Sequence, residues 1–292
     1  MKFQNSEYVQ KTLNQNLNNM DEFGYTSIDS FAIDQLTGNI SAFFVLDREC
    51  YQEGTLMYGK REIDLAFSSE ENVFHMKQRC LLAQILNVNV YIVSMNSDLE
   101  YGRIIKVKMD ENDTLQFSQV SDSKDRTKIL LTKSQIIQFV DRFRNNKRLK
   151  EKQLYQLSSE DMVKKINNSG IKFGGNLDGF KIDKHSIKII EFSKIGAKNP
   201  NRQANDNNTF NYNFQYMKED FGRWYAIQSL VDKIKEKTSK TVSADIIVWS
   251  NNGNNVKKFS NVSFIGKRNK DLNVNYEKIT KLNNLTMSRK KI

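Results

Sequence analysis

The sequence Asp-Ser-Phe-Ala-Ile-Asp at residues 29–34 returns as Asp-Gly-Phe-Lys-Ile-Asp at residues 178–183, 149 positions later. An apolar run typical of a buried strand follows each copy, at residues 40–46 and 187–192. A recurring segment must be interpreted before any motif, because a repeat sets the architecture of the whole chain. The two copies therefore predict a duplicated unit.

Further matches extend this unit in the same order. Each copy has an opening helical stretch, a second helix that keeps Arg, Gln and Leu in register, and two strand-like segments. In the first copy these segments are residues 8–18, 79–86, 88–94 and 102–109. In the second copy they are residues 159–168, 223–230, 244–250 and 257–265. The predicted fold is α/β (α+β), with two tandem domains, each a mixed β-sheet flanked by helices. We expect domains at 1–145 and 158–292, joined by a charged linker at 146–157.

The composition indicates a globular chain, since 292 residues with 38% hydrophobic residues can fill two cores. No stretch approaches the roughly 18 apolar residues of a membrane span, and the N-terminus lacks the apolar run of a signal peptide. The two cysteines offer no disulfide framework. We therefore expect a cytoplasmic protein without a membrane partner. The many asparagines and lysines and the single proline are typical of a low-GC genome, so we expect an origin in a bacterium, a mobile element or a virus.

The positive charge is concentrated in the second half. Residues 157–292 contain 25 Lys and Arg against 13 Asp and Glu, whereas residues 1–156 contain 20 against 21. Lysines and arginines opposite phosphates gain affinity by releasing counterions. This asymmetry predicts nucleic acid as the partner of the second half, with DNA favoured over RNA.

Two acidic residues of the second copy form a candidate metal site. Asp178 stands at the start of one strand-like segment, and Glu191 closes the next one, on the same face as Ile187 and Ile189. If the two strands are neighbours, the carboxylates converge. Carboxylate oxygens bind Mg²⁺ or Mn²⁺, which activates water and neutralises charge during phosphodiester hydrolysis.

This arrangement resembles the PD-(D/E)XK nuclease superfamily, which has the restriction-endonuclease-like fold. The resemblance implies that Asp178 and Glu191 bind the metal, that Glu160 on the preceding helix assists, and that a lysine positions the nucleophile. Leu177 replaces the proline of the motif, and Lys194 stands one position late. Either a bulge turns Lys194 inward, or Lys198 or another basic residue substitutes for it, or catalysis is absent.

Several residues have alternative structural roles. Glu160 also fits a helix cap, and Asp178 followed by glycine also fits a turn. We expect nucleic-acid contacts from four basic residues: Lys181, Lys198, Arg202 and Arg223. For Arg223, pairing with an internal carboxylate or carbonyl is favoured over contact with the substrate, because the first copy retains an arginine at the matching position.

The first copy keeps Asp29 but places Val45 opposite the position of Glu191; another register offers Asp47. This copy is predicted to have lost the site and to serve as a structural domain that frames the substrate, docks a protein partner or forms a homodimer. The leading hypothesis is a Mg²⁺-dependent endonuclease acting on DNA or RNA. The alternatives are a catalytically inactive nucleic-acid-binding protein of the same fold and a scaffold protein.

Overall fold

The computed structural model describes residues 24–33, 38–47, 60–96, 98–121, 130–143, 175–194, 221–249, 256–260 and 280–281. Only the backbone is described at residues 60–62, 192–194, 221–225, 247–249, 256–260 and 280–281. The helices are α1 (Lys60–Ala66), α2 (Glu70–Leu86), α3 (Lys133–Asp141) and α4 (Phe221–Lys237). The strands are β1 (Thr26–Ile33), β2 (Ile40–Leu46), β3 (Asn89–Met95), β4 (Tyr101–Met109), β5 (Leu115–Gln119), β6 (Leu131–Thr132), β7 (Gly175–Ile182), β8 (Ser186–Lys194), β9 (Thr241–Trp249), β10 (Val256–Ser260) and β11 (Thr280–Lys281).

One mixed sheet contains all eleven of these described strands. Ten of them follow the order β11-β10-β9-β8-β7-β1-β2-β3-β4-β5, and β6 pairs with β4. The predicted mixed α/β class with flanking helices is therefore confirmed. No helix in the described ranges has the length and apolar content needed to span a membrane.

The two halves of the sheet have the same pattern of strand directions. Strands β1 and β2 are antiparallel, β2 and β3 parallel, and β3 and β4 antiparallel. The same three relations hold in order for β7, β8, β9 and β10. In each half a 17-residue helix, α2 or α4, precedes the strand that runs parallel to its neighbour. The repeat thus extends beyond sequence to connectivity.

The halves meet where β1 and β7 pair in antiparallel fashion. Two register shifts interrupt this pairing, one within residues 28–31 of β1 and one within residues 177–180 of β7. These positions are separated by the 149-residue offset of the repeat. An irregularity at the same place in both copies bends the strand and lets Asp29 and Asp178 depart from the regular ladder.

A hydrophobic core continues from one half to the other. It includes Ile28 and Phe31 of β1, Leu177 and Phe180 of β7, and residues of both long helices. A Cβ at Gly175 would lie 2.8 Å from the Phe31 ring and 3.1 Å from the Ala226 side chain. A larger residue therefore has no room at the join between β1 and β7. The division into two domains stays a prediction, since the halves share this sheet and this core.

The other face of the first half is covered by α3. Thr132 and Gln135 form a capping box that starts this helix, as the polar residues before the apolar pattern favour. Buried residues of α3 pack on a second apolar cluster that includes Ala32, Ala42 and Phe44. A non-local hydrogen bond fixes the helix end, since Ser41 Oγ donates to the Phe143 carbonyl at 2.6 Å.

The sequence alignment matches Gln84 with Gln228, but the two residues lie at different positions in their helices. Gln84 lies two residues before the end of α2, whereas Gln228 lies nine residues before the end of α4. Both helices have 17 residues, so the two glutamines occupy different turns and their equivalence is wrong. The buried Arg79 donates its Nε hydrogen bond to the Ser27 carbonyl at 2.9 Å. Its match with Arg223 depends on the same alignment, so this contact describes the first half alone.

Candidate functional site

The candidate site is built on the hairpin formed by β7 and β8. The regular pairing of the two strands ends at Gly179 and Ile190, which are the sequence neighbours of Asp178 and Glu191. The Asp178 backbone N–H donates to Glu191 Oε1 at 3.1 Å. The structure therefore brings these two predicted site residues into contact.

Glu191 is fully buried, with 0% of its surface exposed. It alternates with Ile187 and Ile189, which belong to the core beneath α4, and its neighbour on β9 is the core residue Ile246. A carboxylate in such a place is costly unless hydrogen bonds or a cation compensate it. The Asp178 N–H supplies one such hydrogen bond.

Asp178 is partly exposed and is the member of the pair that reaches solvent. Asn176 Nδ2 donates to Asp178 Oδ1 at 3.4 Å, from two positions earlier on the same strand. Sequence reasoning missed Asn176; its position two residues before Asp178, on the same strand face, was the available signal. Two hydrogen bonds thus orient the pair. The Asp178 main chain holds the Glu191 carboxylate, and the Asn176 side chain holds the Asp178 carboxylate.

The oxygen ligands of the pair suit a small divalent cation. Mg²⁺ keeps several of its waters and is commonly bound through one or two carboxylates. Asp178 and Glu191 provide that number. Within the residues that the structure describes, no group of three or more His, Cys, Asp or Glu side chains is placed to hold a metal. The predicted auxiliary acid, Glu160, lies outside the described residues.

Lys194 ends β8, and its side chain is not described. The parallel ladder between β8 and β9 runs without a register shift from Ser186 to Lys194. The bulge that would turn Lys194 towards Glu191 is therefore absent from this ladder. This ladder lends no support to the bulge, so the role of Lys194 stays a prediction beside substitution by Lys198 or another basic residue and the absence of catalysis.

Two of the four predicted nucleic-acid-binding residues, Lys181 and Arg223, lie within the described residues. Lys181 lies on β7, partly exposed, with Nζ 4.0 Å from Asp183 Oδ1. Arg223 falls in the first turn of α4, where only the backbone is described. Lys198 and Arg202 lie outside the described residues.

The matching place in the first half holds a different set of contacts. Phe31 pairs with Phe43 as Phe180 pairs with Ile189, so Val45, two residues after Phe43, corresponds to Glu191, two residues after Ile189. Asp29 Oδ2 accepts a hydrogen bond from the Leu46 N–H at 2.7 Å. A side-chain carboxylate thus closes the strand pairing in each half.

Asp47, the alternative acid of the first half, is buried just beyond β2. Its Oδ2 accepts a hydrogen bond from Ser94 Oγ at 2.7 Å, and its backbone N–H donates to the Val93 carbonyl at 2.9 Å. These contacts hold the ends of the parallel strands β2 and β3 together. Asp47 therefore has a structural role in joining them.

No protein-family model matches this sequence, and searches among curated proteins and among solved structures likewise gave no match.

Proposed function

We propose that this protein is a metal-dependent endonuclease that hydrolyses phosphodiester bonds of DNA or RNA, with Asp178 and Glu191 as the ligands of Mg²⁺ or Mn²⁺. The observation that carries the proposal is the contact between these two residues on adjacent strands. It occurs in the half of the chain that holds the whole excess of positive charge. The resemblance of these strands to the PD-(D/E)XK motif supports the same chemistry.

In this proposal the chain contributes binding and orientation. Asp178 presents a solvent-accessible carboxylate, and Asn176 orients it through the hydrogen bond to Oδ1. Glu191 supplies a second carboxylate whose Oε1 is fixed by the Asp178 N–H. A bound divalent ion would activate water and neutralise charge on the phosphate. The basic residues of the second half hold the nucleic-acid backbone.

A second candidate function is nucleic-acid binding without cleavage. It is favoured by the unshifted ladder at Lys194 and by the similarity between the Glu191 and Asp29 contacts. Each of these carboxylates accepts a main-chain N–H from the paired strand. On this interpretation Glu191 closes the strand pairing, as Asp29 does, and the fold supplies only a basic surface.

A cleavage assay distinguishes the two functions. Plasmid DNA, single-stranded DNA and RNA are incubated with the full chain in Mg²⁺, in Mn²⁺ and in EDTA. The nuclease proposal predicts metal-dependent cleavage that Asp178→Asn and Glu191→Gln each abolish. Asp29→Asn is the matched control, because it changes the corresponding carboxylate of the first half while retaining a hydrogen-bond acceptor, and it should cut normally.

Each result of this assay supports a different function. Loss of cleavage in the two second-half variants with retained nucleic-acid binding supports the nuclease. Binding without cleavage by the unaltered protein supports the second candidate. Cleavage by Glu191→Gln at the normal rate refutes the role of Glu191, and the absence of both binding and cleavage favours a scaffold protein.

A further inference from the structure

Two lysines lie directly opposite each other on the hairpin of the candidate site. Lys181 of β7 pairs with Lys188 of β8, and Lys188 is in turn the neighbour of Ser243 on β9. Lys188 alternates with the core residues Ile187 and Ile189, so this row lies on the sheet face opposite α4 and opposite Glu191. Lys188 is exposed, and Lys181 and Ser243 are partly exposed.

The first half has small apolar residues at the equivalent positions. There Ala32 pairs with Ala42, one step beyond the pair formed by Phe31 and Phe43. In the second half Lys181 and Lys188 stand one step beyond the pair of Phe180 and Ile189. Both alanines are 0% exposed and belong to the cluster covered by α3. The cross-strand lysine pair therefore replaces a pair of buried alanines.

Like charges directly opposite each other on adjacent strands destabilise a sheet. Among the described residues, two acidic groups lie near this pair: Asp183, 4.0 Å from Lys181 at the hairpin end, and Asp245 of β9, two residues beyond Ser243 on the same face. The turn adds two exposed residues, Lys184 and His185. The Lys240 ammonium group is already engaged in the turn, since its Nζ donates to the carbonyls of Asp183 and Lys184. A partner that carries closely spaced negative charges would relieve the repulsion between the two lysines.

We propose that the row formed by Lys181, Lys188 and Ser243 binds phosphates of a nucleic-acid backbone on the face opposite Glu191. This inference rests on nucleic acid being the partner in the proposed function, and it identifies the surface of contact. Ammonium groups on adjacent strands meet consecutive phosphates, and the Ser243 hydroxyl donates a further hydrogen bond. Because Glu191 is on the other face, this contact positions the strand and does not hold the phosphate that is cleaved.

The test compares two double variants of the full chain that lose the same charge. Lys181→Ala with Lys188→Ala removes the row and restores the alanines found in the first half. Lys108→Ala with Lys235→Ala is the control, because both residues are exposed on other elements. Affinity for a fluorescent DNA duplex is measured by anisotropy as the salt concentration rises. Circular dichroism and the urea midpoint verify that both variants fold.

The row variant should lower the slope of log affinity against log salt by about 2, as expected for two lost phosphate contacts. Between 50 mM and 200 mM salt, its affinity then falls about tenfold less than that of the unaltered protein. The control should keep the original slope. An unchanged slope in the row variant, or an equal loss in the control, overturns this inference while leaving the proposed function intact. Failure of the unaltered protein to bind overturns both.

Discussion

His75 couples the stability of the fold to pH. It is 1% exposed on α2, and its Nδ1 lies 2.8 Å from Thr26 Oγ1, which we take as the donor. Thr26 belongs to β1 and pairs with Phe180 across the join between the halves. Burial, aided by the nearby positive charge of Arg79, lowers the pKa of His75 from 6.5 to about 3. Glu71, 3.8 Å from Nε2, does not offset these effects.

The direction in which the free energy of unfolding changes with pH follows from the protons that the folded and unfolded chains bind. With a folded pKa of about 3 and an unfolded pKa of 6.5, the stability contributed by neutral His75 is fully present above pH 6.5. It is lost as the pH falls towards 3, because the unfolded chain binds a proton that the folded protein does not. One pKa unit corresponds to about 1.4 kcal/mol, so the free energy of unfolding drops by about 2 kcal/mol between pH 8 and pH 5.

The variant His75→Gln removes this titration and keeps a hydrogen-bond acceptor for the Thr26 hydroxyl. We expect the variant to lose about 2 kcal/mol less stability than the unaltered protein over the same pH range. Urea unfolding followed by circular dichroism at pH 8, 6.5 and 5 measures the difference. Equal losses in the two proteins would show that His75 is protonated in the folded state and would refute the argument.

Two further substitutions test the sheet. Lys188→Ala should raise the free energy of unfolding by about 0.2–1 kcal/mol, because it removes the repulsion from Lys181, and a lower urea midpoint would contradict this expectation. Gly175→Val should lower it by about 1–3 kcal/mol, because the new side chain enters space filled by the Phe31 ring 2.8 Å away. Unaltered thermal stability of the valine variant would mean that the join between β1 and β7 is loosely packed.

The elements that sequence predicts best are those whose signal is local. The apolar runs at residues 40–46 and 187–192 correspond to β2 and β8, and the strand-like segments at 88–94 and 244–250 correspond to β3 and β9. The contact of Asp178 with Glu191 was predictable for the same reason, since a hairpin brings nearby strands together. Hydrophobic period and short loops specify such features within a few residues.

Features that depend on distant pairing were not predictable in this way. Nothing local indicates that β1 pairs with β7, or that the register shifts at residues 28–31 and 177–180 lie in this pairing. The phosphate contact that we propose for Lys188 was also not predictable, because an exposed lysine in an alternating strand is usually just a solvated side chain. Only its pairing with Lys181, and the alanines at the matching positions, distinguish it.

The central claim is that Asp178 and Glu191 together bind a divalent cation, and Mn²⁺ titration tests it most directly. Free Mn²⁺ is measured by electron paramagnetic resonance as the unaltered protein, Glu191→Gln and Asp29→Asn are added. The claim predicts a Mn²⁺ site in the unaltered protein and in Asp29→Asn that Glu191→Gln weakens by at least about tenfold, since losing a ligand costs no less than losing its supporting contact. Absence of binding by the unaltered protein, or equal affinity in Glu191→Gln, would contradict it.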